Sequence, residues 1–273
     1  MEEIKNMQKG DNNTQIGQIN TEKKNITVSV QNVGLQPKDA CELAMKLFYE
    51  NFPKLQEEAE KTVRARVEEL CSEIVNKIVA SNGGNFSSFS DPDIQYCLIK
   101  AQEDYARFGT KELKERLATL ISKRVCYDSE FKVKTVIDQA IQTAKYLASN
   151  DLDFLSIIFY AKHVKFGGID NALNKLEALK LRINKIALQF PNANQNSFNI
   201  VNNFGCLQLN LDTTSKRLSK TYNISETDAK AICPQIFMDV PADYGLSYTG
   251  IALAIINIEI KTGEKNNLKI WIE

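Results

Sequence analysis

Near the C-terminus the segment YTGIALAIINIEIK, from Tyr248 to Lys261, is apolar on every side when wound as a helix. Ile251, Leu253, Ile255, Ile256, Ile258 and Ile260 surround the axis, leaving Asn257 and Glu259 near one end. A helix with hydrocarbon all round has to be buried. Its apolar run of about 13 residues falls short of the roughly 20 needed to cross a bilayer, so the burial must come from protein. Ser247 predicts a capped start to this helix, TGEKNN a turn, and the alternating LKIWIE a terminal strand.

The rest of the chain has the means to build that core. It holds 273 residues, 43% of them hydrophobic, enough for one substantial core or two modest ones without a disulfide or metal. Lysine plus arginine and aspartate plus glutamate both total 34, so no net field draws in nucleic acid or an anionic membrane. That balance argues against a nucleic-acid partner. The start, MEEIKNMQKGDNN, lacks an apolar stretch behind a basic end, and no spanning helix follows; a cytoplasmic protein is expected. Cys41, Cys71, Cys97, Cys126, Cys206 and Cys233 are widely spaced, without a C-x-x-C pair. They are expected to be reduced thiols, with Cys71 and Cys97 acting as small apolar residues in helices.

Three regions follow from the pattern: 1–35, 36–188 and 189–273. The middle region is all helix. Pro37 to about Ala80 is helical, with Leu55, Ala59, Val63, Val67, Leu70, Ile74 and Ile78 on one stripe and charge on the opposite face. That stripe suits either a coiled-coil seam or a surface helix packed on its own core. Pro53 leaves open one rod or two helices meeting near NFPK. Ser90 or Asp91, Pro92 and the RFG stop mark the next helix, and Thr110 caps the one after. Further helices run to Leu147, from Asp151 through LDFLSIIFYAKHV, and beyond the Gly167-Gly168 break. From Gln189 to Asp212 the chain turns asparagine-rich, a loop followed by a short strand or irregular segment around CLQLNL. The fold class is thus mainly α (α+β): an N-terminal β-segment or hairpin, a body of helical hairpins, and a C-terminal winged-helix-like helix with short strands.

The opening region differs from everything after it. In QKGDNNTQIGQINTEKKNITVSVQNVG, glycines recur at Gly10, Gly17 and Gly34, and Ile16, Ile19, Ile26, Val28 and Val30 stand singly among polar residues, as in strands. Asparagine- and glutamine-rich β-segments of low charge can stack identical copies, their amides forming ladders and their apolar residues a dry interface. The candidate assembly residues are Asn12, Asn13, Gln15, Gln18 and Asn20 as the amide ladder, with Ile16, Gly17 and Ile19 as packing residues. Glu22, Lys23 and Lys24 interrupt the pattern as a turn or gatekeeper before a second strand, NITVSV. Composition alone equally suits a disordered tail or a hairpin docked on the parent domain.

Signs of chemistry are sparse. His163 is the sole histidine, which leaves histidine triads and histidine-rich metal sites little to use. No P-loop lysine pattern, GxSxG or HExxH occurs. No catalytic residue, cofactor site or metal site is assigned.

GDNNTQIGQIN resembles the bacterial motifs related to the RIP homotypic interaction motif, whose core is similar to Ile-Gln-Ile-Gly and which drive amyloid-type signalling among defence proteins. Gln15-Ile16-Gly17 matches that core, with Thr14 in place of its first aliphatic residue. The body, particularly DPDIQYCLIKAQEDYARFGTKELKERLATLISKRV and LSYTGIALAIINIEIKTGEKNNLKIWIE, is similar to an uncharacterised bacterial family that pairs a Gly-Asp-Asn opening with such a body. The LSYTG helix pattern also resembles the Abi-alpha abortive-infection family. These likenesses imply a non-enzymatic, cytoplasmic defence-associated or signalling protein. It would associate with itself, or with another protein carrying a similar motif, through the N-terminal segment. Two alternatives stay open: a winged-helix DNA-associated regulator, suggested by the last helix and its following strand, and a hydrolytic effector released by assembly.

Overall fold

The computed structural model describes residues 14–21, 24–31, 37–82, 86–127, 130–164, 172–186, 195–209, 214–227 and 244–272. The chain divides into two compact units, Met1–Lys61 and Thr62–Glu273, with the division inside the first helix.

In the first unit, strands β1 (Thr14–Thr21) and β2 (Lys24–Gln31) form an antiparallel hairpin in which Thr21 pairs with Lys24. Single apolar residues alternating with polar ones in two adjacent runs give this structure. Helix α1 (Pro37–Asn82) then runs unbroken with Pro53 inside it, so the rod is formed and the two-helix alternative is not.

The second unit is a helical body: α2 (Pro92–Phe108), α3 (Lys111–Cys126), α4 (Phe131–Ala144), α5 (Ser149–Lys162), α6 (Ala172–Ile186), α7 (Gln195–Asn203), α8 (Thr214–Tyr222), α9 (Tyr248–Thr262) and the short α10 (Lys269–Ile272). Local chemistry sets the boundaries. The Asp91 side chain accepts from the Asp93 N–H at 2.8 Å, Pro92 occupies the first turn of α2, and Gly109 closes it at φ 63°. Thr110 Oγ1 accepts from the Leu113 N–H to open α3.

Helix α9 lies at the centre, buried from Thr249 through Ile258 and packed against α5, α4, α3 and α6. Ser247 Oγ accepts from the Gly250 N–H at 3.1 Å, so the cap and the burial both follow the sequence reading. Strands β3 (Leu207–Leu209) and β4 (Tyr244–Leu246) pair antiparallel at the start of α9. A Cβ on Gly250 would stand 2.1 Å from the Cys206 carbonyl oxygen, and only glycine permits that approach.

One expectation is overturned. The terminal LKIWIE forms the helical turn α10 rather than a strand. Asn267 Oδ1 accepts from the Lys269 N–H at 3.0 Å, and Leu268 and Ile272, four apart, are buried while Ile270 between them is 72% exposed. Burial at spacing four selects helix over the period of two that the alternation suggested. The wing that a winged-helix arrangement needs after its last helix is therefore not formed here.

Candidate assembly surface

The hairpin register decides which residues stand opposite one another: Gln15 pairs with Val30, Gly17 with Val28 and Ile19 with Ile26, while Thr14 pairs with Gln31, Ile16 with Ser29, Gln18 with Thr27 and Asn20 with Asn25. The expected packing positions Gly17 and Ile19 thus face Val28 and Ile26 along the ladder, and Ile16 faces Ser29. Asn12 and Asn13 lie outside the described residues. Among the described residues, β1 and β2 pair only with each other, leaving both outer edges of backbone donors and acceptors without a neighbouring strand.

The apolar stripe of α1 has two fates. Leu70, Ile74 and Ile78 are buried in the core of the body, at 0%, 2% and 0% exposure. This part of the helix is held by side chains that reach across: the Tyr105 hydroxyl donates to Glu69 at 2.9 Å, and Arg66 donates to the Ala106 carbonyl at 2.6 Å. Earlier on the same helix, Leu55 and Val63 are exposed, and so are Met45, Tyr49 and Phe52, which extend the stripe toward the hairpin at steps of three and four. The sequence stripe began at Leu55; the spacing of Met45, Tyr49 and Phe52 was legible, though overshadowed by the neighbouring charge. The surface-helix reading thus holds from Leu70 onward, while the stripe from Met45 to Val63 is exposed.

The chemistry-bearing groups of the body are engaged in structure. Fully buried Arg124 joins Asp138 at 2.8 Å and Asp93 at 2.6 Å, tying α3 to α4 and α2. The Cys97 thiol donates to Asp138 at 3.1 Å, and its burial beside that carboxylate pushes its pKa up to about 12, so it is an inert thiol. Asp151 accepts from the Ala148 N–H at the start of α5 and from the Ser197 hydroxyl of α7. Asp153 receives Lys261 and Asn257 from α9. Lys162, buried in α5, donates to the Tyr244 carbonyl. His163 stacks on Phe159 and meets the Trp271 ring edge-on, with ring centroids 5.9 Å and 6.4 Å away. Its Nε2 is buried without a hydrogen-bond partner among the described residues. Burial, with positive Arg217 and Lys162 nearby, lowers its pKa to about 4 and keeps it neutral near pH 7. Among the described residues no group of histidine, cysteine and acidic side chains is arranged to hold a metal ion, and no helix is long and apolar enough to cross a membrane. Helix α9, the element a DNA-reading role would need in a groove, is enclosed by other helices.

No curated protein and no solved structure matches the chain. A protein-family model whose description carries no activity matches residues 34–245, from just before α1 to β4, beyond the hairpin at one end and short of α9 at the other. With most of its length inside that match, the chain belongs to the family that this model describes.

Proposed function

We propose that the protein is a non-enzymatic bacterial defence-associated or signalling protein that assembles through its N-terminal hairpin, with copies of itself as the first partner. A protein carrying a similar motif is the second kind of partner. One observation supports the reading: a two-stranded hairpin whose strands, among the described residues, pair only with each other precedes a helix whose first half exposes its apolar stripe. A lone two-stranded hairpin is marginal in water, and an open edge is a template for another strand. The asparagines and glutamines of β1, and its likeness to motifs that stack homotypically, favour a second copy of the same segment as that strand. The exposed stripe of α1 would then meet its equal on the neighbouring copy. Lys54 pairs with Glu58 at 3.8 Å and Lys61 with Glu57 at 2.6 Å along the helix, which offsets part of the charge flanking the stripe.

The test is the size in solution of the full chain, of a form lacking residues 1–35, and of the Ile16→Asp/Ile19→Asp double variant. Light scattering on a sizing column should show a large species for the full chain and a smaller, still helical one for both others. Equal size in all three would sink the proposal. The single variants add a sharper point. Ile19 pairs with Ile26 in the hairpin register whereas Ile16 pairs with Ser29, so Ile19→Asp should disrupt assembly more than Ile16→Asp.

A further inference from the structure

We propose that the helical body carries a binding site for a small organic oxyanion, in the cleft between the α2–α3 turn and the α4–α5 turn. The cleft has a volume of about 420 Å³, within the range of small-molecule sites. Arg116 lines it and is only 5% exposed. One guanidinium nitrogen, Nη1, donates to the Ala144 carbonyl at 2.5 Å and the Leu147 carbonyl at 2.9 Å. Those contacts hold the plane in place and leave the positive charge without a carboxylate at ion-pair distance among the described residues. The acids whose fields reach it are Glu112, Asp151 and Asp153. Asp151 is occupied by Ala148 and Ser197, and Asp153 by Lys261 and Asn257; Glu112 is exposed on the first turn of α3. A buried guanidinium in this position is costly unless an anion completes it. Its fork geometry suits the two oxygens of a carboxylate or phosphate.

Four helix ends meet at the cleft: Thr110 and Leu113 bring the N-terminal end of α3, and Ala148 and Ser149 that of α5, each with the positive end of its dipole, while Phe108 and Ala144 bring the opposite, C-terminal ends of α2 and α4, the latter already met by Arg116. Phe108 and Tyr146 are also in the lining, 40% and 51% exposed, and Tyr146 is backed by Phe204 at 4.6 Å between ring centroids, in parallel stacking. The ligand class is therefore a carboxylate or phosphate ester on a flat apolar body: oxyanion to Arg116, ring to the aromatic pair.

Phenyl phosphate, benzoate, inorganic phosphate and phenol serve as probes in calorimetric titrations of the full chain. Phenyl phosphate or benzoate should bind saturably, the tighter of the two naming the anion, while phenol should not bind and inorganic phosphate should bind more weakly than its phenyl ester. Because Arg116 also supports two carbonyls, its loss could unfold the protein, and the deciding variants lie at the edge. Ser149→Glu adds an acid in the first turn of α5, a placement helices favour, and should weaken binding about tenfold by repulsion. Glu112→Gln should tighten it. No binding by either ring-bearing anion, or binding that neither variant changes, overturns the proposal.

Discussion

His163 shows how one residue registers its surroundings. Held between Phe159 and Trp271, with Lys162 and Arg217 adding positive charge, its imidazole resists protonation until about pH 4. The unfolded chain takes up that proton near pH 6.5. Protons therefore favour the unfolded state between those values: the full stability is present above pH 6.5 and is lost as pH falls toward 4. The loss amounts to something on the order of 3 kcal/mol when fully developed. Urea unfolding at pH 7 and pH 4.5 should show this decline in the wild type and a smaller one in His163→Gln, whose side chain does not titrate. An equal decline in both would assign the effect to carboxylates instead. At this scale the sequence was legible wherever a residue acts on its neighbours. Asp91, Thr110 and Ser247 each cap a helix two or three residues ahead, and each was readable from the local pattern. Arg116 and His163 were not, because their environments come from carbonyls and rings on elements distant in the chain, and no spacing rule reaches them.

Elements were legible when one period dominated them. The hairpin follows from alternation and α9 from its unbroken hydrocarbon, whereas LKIWIE offered two periods at once, and the Asn267 cap with the buried Leu268 and Ile272 decided for helix. Helix α1 shows that one stripe can serve two environments. Ile74 is 2% exposed and Leu55 52%. Truncating each to alanine should separate them: Ile74→Ala should cost about 2–5 kcal/mol of body stability by leaving a cavity. Leu55→Ala should leave unfolding of the body within about 0.5 kcal/mol of wild type while reducing the oligomer in light scattering. If Leu55→Ala destabilised the body as much as Ile74→Ala, the exposed half of the stripe would belong to the fold rather than to assembly.

Across the whole molecule, 34 basic and 34 acidic side chains leave no net charge, and the apolar helix nearest the C-terminus is walled in by α3, α4, α5 and α6. A chain organised this way should bind nonspecific duplex weakly, without the steep fall on raising salt that accompanies phosphate tracking. A strongly salt-dependent association, measured by fluorescence anisotropy, would instead favour the DNA-associated alternative. The hairpin has a further consequence for an assembled form, and it is one of measure. A copy that joined a growing sheet with a single strand would advance it by about 4.8 Å, too little for a helix of roughly 10 Å diameter to follow it. If β1 and β2 entered together, each copy would advance the sheet by about 9.6 Å, close to the 8–10 Å at which helices pack side by side. Strand and rod would then share a common pitch, and a row of hairpins would lengthen without crowding the helices that follow.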